Sequence, residues 1–204
     1  KFTVPGEQQY RAFEKTIPGD FSSATFFMCA AACTGGTLTM KNLDMNDPQG
    51  DKEVVRILES MGAEVRTDSS SVTIHGKDLV GGEFDLNAIP DALPALAVTG
   101  CFARGETRLV NVAQARLKET DRIAVMCGEL SRLGADITEQ EDGLVIRESA
   151  LSPGAVHGHH DHRVVMALAV AGIAGDGLEV DTAESVSVTF PGFTKLMRAA
   201  GADI

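Results

Sequence analysis

Apolar residues in this chain fall into two kinds of run. SSATFFMCAAAC (22–33), DALPALAVTGCFA (91–103) and DHRVVMALAVAGIA (161–174) are apolar on every side at helical spacing. A helix of that kind must be buried all round. Each is followed by a Gly turn (Gly36, Gly105, Gly177) and an alternating stretch that reads as a strand: GTLTMKNL, GETRLVNV and GLEVDTA. The other helical runs are amphipathic, as in Ile123, Met126, Leu130 and Leu133, and end where a Gly can take the left-handed turn that closes a helix.

Those closing turns repeat. Gly62-Ala63-Glu64-Val65, Gly134-Ala135-Asp136-Ile137 and Gly201-Ala202-Asp203-Ile204 recur at intervals of 72 and 67 residues. The first two copies continue into a strand pair, RTDSSSVTIHG and TEQEDGLVIRE, and the third stops at Ile204. The chain therefore reads as one α/β domain over 1–204, built from three units at about 15–80, 81–150 and 151–204, the last incomplete. Three apolar helices side by side in the centre, with sheets outside, satisfy the burial requirement. The incomplete unit predicts an unpaired sheet edge. Residues 1–19 read as an entering strand and a loop carrying Tyr10, and Asp20, Ser22 and Ser23 as the cap of the first helix. Aligning the Gly turns makes Ser22, Asp91 and Arg163 equivalent, each at the start of a central helix. Under a pseudo-threefold axis those N-termini share one end, whose positive poles attract anions.

Charge sharpens this picture. With a net charge of −11 the chain is a poor match for nucleic acid or an anionic membrane, and no apolar run reaches the length of a membrane span. An acidic protein that binds anions must concentrate its cations, and Arg116, Lys118 and Arg122 gather with Glu119 where Thr120 or Asp121 caps a helix. Spacing alone leaves two readings, an anion site and a solvated basic helix start. Asp91, read from the residues alone, is a cap for the helix that Pro94 enters in its first turn. His157, His159, His160 and His162 invite a metal reading, but HxHHxH in a loop has no catalytic zinc spacing, and no metal is expected. Cys29, Cys33, Cys101 and Cys127 lie in helical stretches without CxxC spacing and read as buried free thiols of a reducing cytoplasm. A start at Lys1 suggests an excised or processed piece.

Lys118-Glu119-Thr120-Asp121-Arg122 resembles the KE[ST]DR motif of the 5-enolpyruvylshikimate-3-phosphate synthase family (3-phosphoshikimate 1-carboxyvinyltransferase). Ile89-Pro90-Asp91-Ala92, Asp161-His162-Arg163 and Thr189-Phe190-Pro191-Gly192-Phe193 match the same family in the same order. The match covers the family's C-terminal half. It implies the enolpyruvyl transferase-type inside-out α/β barrel, three βαβαββ units with helices inside, the third completed by the N-terminal end of the full chain. It implies transfer of the enolpyruvyl group from phosphoenolpyruvate to the 5-hydroxyl of shikimate 3-phosphate, in aromatic amino acid biosynthesis, without cofactor or metal. By the same resemblance Asp91 and Glu119 carry protons with Lys118 beside them. Arg122 and Arg163 clamp phosphoenolpyruvate, with Lys118 and His162 close by, and Gln114 touches the shikimate ring hydroxyls. The family often has Lys where Val188 stands, which leaves one phosphate contact unassigned. The partner is then the missing N-terminal domain, the full-length enzyme is a cytoplasmic monomer, and this chain alone is inactive. The alternatives are a UDP-N-acetylglucosamine enolpyruvyl transferase, which lacks this motif set, and a non-catalytic module for phosphate ligands.

Overall fold

The computed structural model describes residues 1–204. The first unit comprises α1 (Phe21–Thr34), β1 (Thr37–Lys41), α2 (Glu53–Ser60), β2 (Glu64–Thr67) and β3 (Ser71–His75). Asp20 caps α1 by accepting from the N–H groups of Ser22 (3.1 Å) and Ser23 (3.0 Å). Gln49, from the loop before α2, accepts from Phe21 N–H at 2.8 Å. The three strands form an antiparallel sheet in the order β1-β3-β2.

The second unit shows the whole βαβαββ order: β4 (Glu83–Asp85), α3 (Leu93–Cys101), β5 (Glu106–Val110), α4 (Arg122–Arg132), β6 (Ile137–Gln140) and β7 (Gly143–Arg147). Its sheet runs β4-β5-β7-β6, with β4 parallel to β5 and the other pairs antiparallel. The third has β8 (Gly154–Val156), α5 (His162–Ala174), β9 (Leu178–Val180) and α6 (Phe193–Ala199), and its sheet is the parallel pair β8-β9. No strand follows α6.

The apolar helices occupy the centre. All nine residues of α3 are buried, between α1 and α5 on the inside and the second sheet outside. The other two are less enclosed. Ser23, Ala24 and Cys33 on α1, and Ala169, Gly172 and Ile173 on α5, stay partly open. Two strands are too few to cover them, and α6 closes only part of the gap. Its Phe193 joins Phe26, Phe27 and Phe190 in tilted and edge-on ring contacts, with centroids 5.7 to 6.5 Å apart.

The entering strand expected over residues 1–19 does not form. Residues 1–20 take neither helix nor strand, and Phe2, Val4, Tyr10, Phe13 and Ile17 are exposed. Only Gly19 N–H to the Asn42 carbonyl (2.6 Å) and Asn42 Nδ2 to the Ile17 carbonyl (3.0 Å) bring the segment alongside β1. A strand needs a continuous ladder of partners, and two bonds do not make one. The helix-closing glycines are left-handed as the sequence predicts, with φ of 107° at Gly62, 92° at Gly134 and 102° at Gly201. In the first unit the left-handed turn before the strand lies at Gly35, one residue ahead of the Gly36 used in the alignment.

All four thiols are free, and burial pushes Cys29 and Cys101 up to about 12, so both stay protonated. Cys33 and Cys127 are only part-buried, Cys127 because it rides on the amphipathic α4. No helix is long and apolar enough to cross a membrane. The inner and outer helices should differ in sensitivity to truncation. Leu96→Ala, in the enclosed α3, is expected to cost about 2–5 kcal/mol by urea unfolding. Leu196→Ala on the open side of α6 should stay within about 0.5 kcal/mol.

Candidate active site

Ser22, Asp91 and Arg163 are each the second residue of their element: α1, the 3₁₀ turn Pro90–Ala92 that leads into α3, and α5. The three starts meet. Arg163 Nη2 lies 3.5 Å from Asp91 Oδ2, and the charges of Arg163, Asp91 and Asp20 all act on Asp51, in the 3₁₀ turn Gly50–Lys52 beside them. Burial, opposed by Arg163, pushes the Asp51 carboxyl above the usual range.

Arg122, the first residue of α4, reaches into this meeting point and is the largest fully buried side chain in the protein. Its Nε donates to Asp161 Oδ2 at 2.8 Å and Nη2 to Asp161 Oδ1 at 3.1 Å. Its Nη1 donates to Asp91 Oδ1 (2.8 Å) and its Nη2 to Glu119 Oε2 (2.6 Å). Four of the five guanidinium N–H groups are thereby engaged by three carboxylates. The resemblance makes Arg122 one jaw of a clamp on phosphoenolpyruvate. In this structure its side chain is 1% exposed and closed in by carboxylates, with one Nη1 N–H left unengaged. A charge buried this deeply needs a partner, and Asp161, itself fully buried, supplies it.

Asp161 received no role from the sequence beyond its motif. Here it caps α5 by accepting from Arg163 N–H (2.9 Å), accepts from Thr120 Oγ1 (3.0 Å), and pairs side-on with Arg122. Burial alone raises its carboxyl, but the hydrogen bonds and charge of Arg122, the Arg163 N–H and Thr120 outweigh that and hold it below the usual aspartate range. Thr120 thus bridges to another element, and the α4 cap is Asp121, which accepts from Ala124 N–H at 3.0 Å.

Asp91 is the part-exposed member of the cluster. Lys118 Nζ (3.1 Å), Arg122 and Arg163 all pair with it, and its side chain is 30% exposed. Burial pushes this carboxyl up, and Arg163, Lys118 and Arg122 together bring it below the ordinary range. Glu119 lies at the rim, between Arg122 and His162, whose Nδ1 is 3.8 Å from Glu119 Oε1. Burial and the charges of Arg163 and Arg122 lower His162, so the ring is neutral at pH 7.

Two expected members stand apart. Arg116 pairs with Asp121 and Glu139, both at 2.8 Å, and donates to the carbonyls of Gln140 and Glu141, so it staples the turn before α4 to β6. Gln114 donates from Nε2 to the Asn87 carbonyl at 2.7 Å and touches none of the cluster carboxylates. Val188 is 82% exposed. Within the histidine run, His157 pairs with Asp181 and His159 with Glu129, and no three His, Cys, Asp or Glu side chains are grouped as a metal site.

Residues 1–197 match the family model for EPSP synthase (3-phosphoshikimate 1-carboxyvinyltransferase). The chain belongs to the EPSP synthase family. Its relatives include the 3-phosphoshikimate 1-carboxyvinyltransferases of Ruminiclostridium cellulolyticum, 61% identical over 205 residues, and Acetivibrio thermocellus, 61% identical over 204. Both alignments cover 100% of this chain and 49% and 48% of the relative. The chain therefore spans about half the length of the curated relatives it matches. The solved EPSP synthase of Acinetobacter baumannii superposes with a TM-score of 0.80 at 33% identity, over 91% of this chain and 46% of that one. The enolpyruvyl transferase NikO of Streptomyces tendae, at 18% identity and a TM-score of 0.69, shares the fold.

The Arg122–Asp161 pair sets a stability expectation. Asp161→Ala leaves a guanidinium buried beside an empty space and should cost about 3–5 kcal/mol in urea unfolding. Because the folded-state pKa of Asp161 is depressed, its contribution is present above the usual aspartate range and is lost as pH falls through the lowered value. Asp161→Asn should therefore be less stable at pH 7 and should lose less on acidification than the wild type.

Proposed function

We propose that the protein to which this chain belongs transfers the enolpyruvyl group of phosphoenolpyruvate to the 5-hydroxyl of shikimate 3-phosphate. This chain supplies the half of the active site that receives the donor. One observation carries the reading: at the meeting point of the helix starts, Lys118, Arg122 and Arg163 surround a single part-exposed carboxylate, Asp91. That is the arrangement an arriving anion can take over. The donor's carboxylate and phosphate replace Asp91 as partners of Lys118 and Arg163, while Arg122 offers its remaining Nη1 N–H from below. Guanidinium groups suit such paired oxygen contacts.

The exchange has a chemical consequence. Asp91 is held acidic by the three cations, and losing Lys118 and Arg163 to the donor raises its affinity for a proton. It then takes the proton of the attacking 5-hydroxyl as that oxygen bonds to C2 of phosphoenolpyruvate. Glu119 at the rim delivers a proton to the C3 methylene, giving a tetrahedral adduct. Return of a proton from C3 to the Glu119 carboxylate and cleavage of the C2–O bond, with the proton held by Asp91 passing to the departing phosphate, restore the double bond and release inorganic phosphate. Neutral His162 beside Glu119 helps to orient that carboxyl. General acid/base groups and fixed charge suffice for these steps. Gln114, outside the cluster, is left to the rim of the acceptor site. The acceptor's remaining contacts and the exclusion of water fall to the other half of the protein, which must close over this face. The chain by itself is then expected to show no turnover. Its working form is a cytoplasmic, monomeric two-domain enzyme.

A phosphate-release assay on the full-length protein tests the reading. Glu119→Gln should lower kcat by about 10²–10⁴ while phosphoenolpyruvate affinity changes little. Arg163→Ala should instead weaken phosphoenolpyruvate binding. Absence of phosphate release from the unmodified full-length protein, with phosphoenolpyruvate still bound, would favour the non-catalytic module.

A further inference from the structure

Arg163 stands in the first turn of α5, directly after a loop with an unusual backbone. His159 and His160 are consecutive non-glycine residues in the left-handed region, with φ of 54° and 55°. Such residues persist when their surroundings hold them. At Gly158 a side chain would collide with Val165, Thr182 and the Asp181 carbonyl. On the outer side, Asp181 Oδ1 accepts from Gly158 N–H (2.8 Å), Asp181 Oδ2 pairs with His157 Nδ1, and Thr182 Oγ1 accepts from His160 N–H (3.2 Å).

The inner wall is Glu129, a carboxylate the proposed chemistry does not use. It lies two turns beyond Arg122 on α4, and its side chain is only 5% exposed. Its Oε2 accepts from His157 N–H at 3.1 Å, and its Oε1 meets His159 Nε2 at 2.8 Å. Arg132 Nη1 stands 3.5 Å from the same Oε2. Burial raises this carboxyl, but the hydrogen bonds from His159 and His157 N–H and the charges of Arg132 and His159 hold it below the usual range. The group therefore stays ionised and keeps both oxygens in use.

We infer that Glu129 is a positioning residue for the enolpyruvyl transfer site: together with Arg122 it fixes the His157–Asp161 loop to α4 at both ends, and so sets where Arg163 stands. Arg122 holds the loop's last residue, Asp161, and Glu129 holds its first, His157, and its middle, His159. The functional part of the inference rests on the reading of Arg163 as a donor-binding group. The mechanical part does not.

The test uses the full-length protein as wild type, Glu129→Gln, Glu129→Ala, Arg163→Ala and the Glu129→Ala/Arg163→Ala double variant. Amide hydrogen exchange should accelerate across 157–163 in Glu129→Ala and remain unchanged at 90–93. Steady-state kinetics should show KM for phosphoenolpyruvate raised by about tenfold, the scale of a lost buried hydrogen bond to a charged group, with KM for shikimate 3-phosphate unmoved. Glu129→Gln keeps one acceptor oxygen and should fall between wild type and Ala, which covers the case of an Ala variant that fails to fold. In the Arg163→Ala background, Glu129→Ala should add less than about twofold, because two changes on one path do not add. Unchanged exchange at 157–163 overturns the inference, as does a fall in kcat at constant KM, the sign of a smaller folded fraction. A full Glu129 effect on KM without Arg163 also overturns it. If Arg163→Ala by itself leaves the phosphoenolpyruvate KM unchanged, the assignment of Arg163 fails, and amide exchange alone decides whether Glu129 holds the loop.

Discussion

The fold and the site share a single constraint, the neutralisation of Arg122. A guanidinium with 1% of its side chain exposed cannot be left unpaired, and the carboxylates that answer it come from separate parts of the chain. Asp161 brings the start of α5, Asp91 the turn before α3, and Glu119 the segment before α4 itself. Once those three are drawn to one point, the helix starts of the second and third units must face the same end of the molecule. A hydrophobic core alone would tolerate small rotations of α3, α4 and α5 about their axes. Directional bonds of 2.6 to 2.8 Å to one planar group do not.

The same cluster reconciles an acidic protein with an anionic ligand. The net charge of −11 is repulsive at long range, yet cations are retained at the site because each is matched to a carboxylate in the folded state. In the function proposed above, entry of the donor is an exchange of anions: Asp91, the part-exposed member, gives way, and Asp161, the buried one, stays. This division follows from burial, since releasing Asp161 would strand Arg122 while releasing Asp91 exposes a carboxylate to water. Under that proposal, proton affinity at Asp91 is coupled to occupancy of the site.

Elsewhere the incomplete third unit shapes the molecule. The βαβαββ order closes fully around α3, whereas α1 and α5 each keep a partly open side. The site pole is held by polar contacts among its own elements and, through Asp181 and Thr182, by the segment directly after β9.

Sequence alone determined the run of apolar and amphipathic helices, the closing glycines and, to within one residue, the equivalence of Ser22, Asp91 and Arg163, because periodicity and turn chemistry are local properties. It also brought the KETDR, IPDA and DHR segments to one end, since the repeat carries their relative placement. What only the tertiary structure decided was which carboxylate each cation pairs with and how deeply each is buried. Arg116, Lys118 and Arg122 are interchangeable members of a basic cluster when read in line, but one staples β6, one grips the exposed Asp91 and one is buried against Asp161. Glu129 was equally hidden, as one more acidic residue on an amphipathic helix until its oxygens were found against His157 and His159. Solvent exposure and pairing across dozens of residues belong to the packed chain, and no local pattern encodes them.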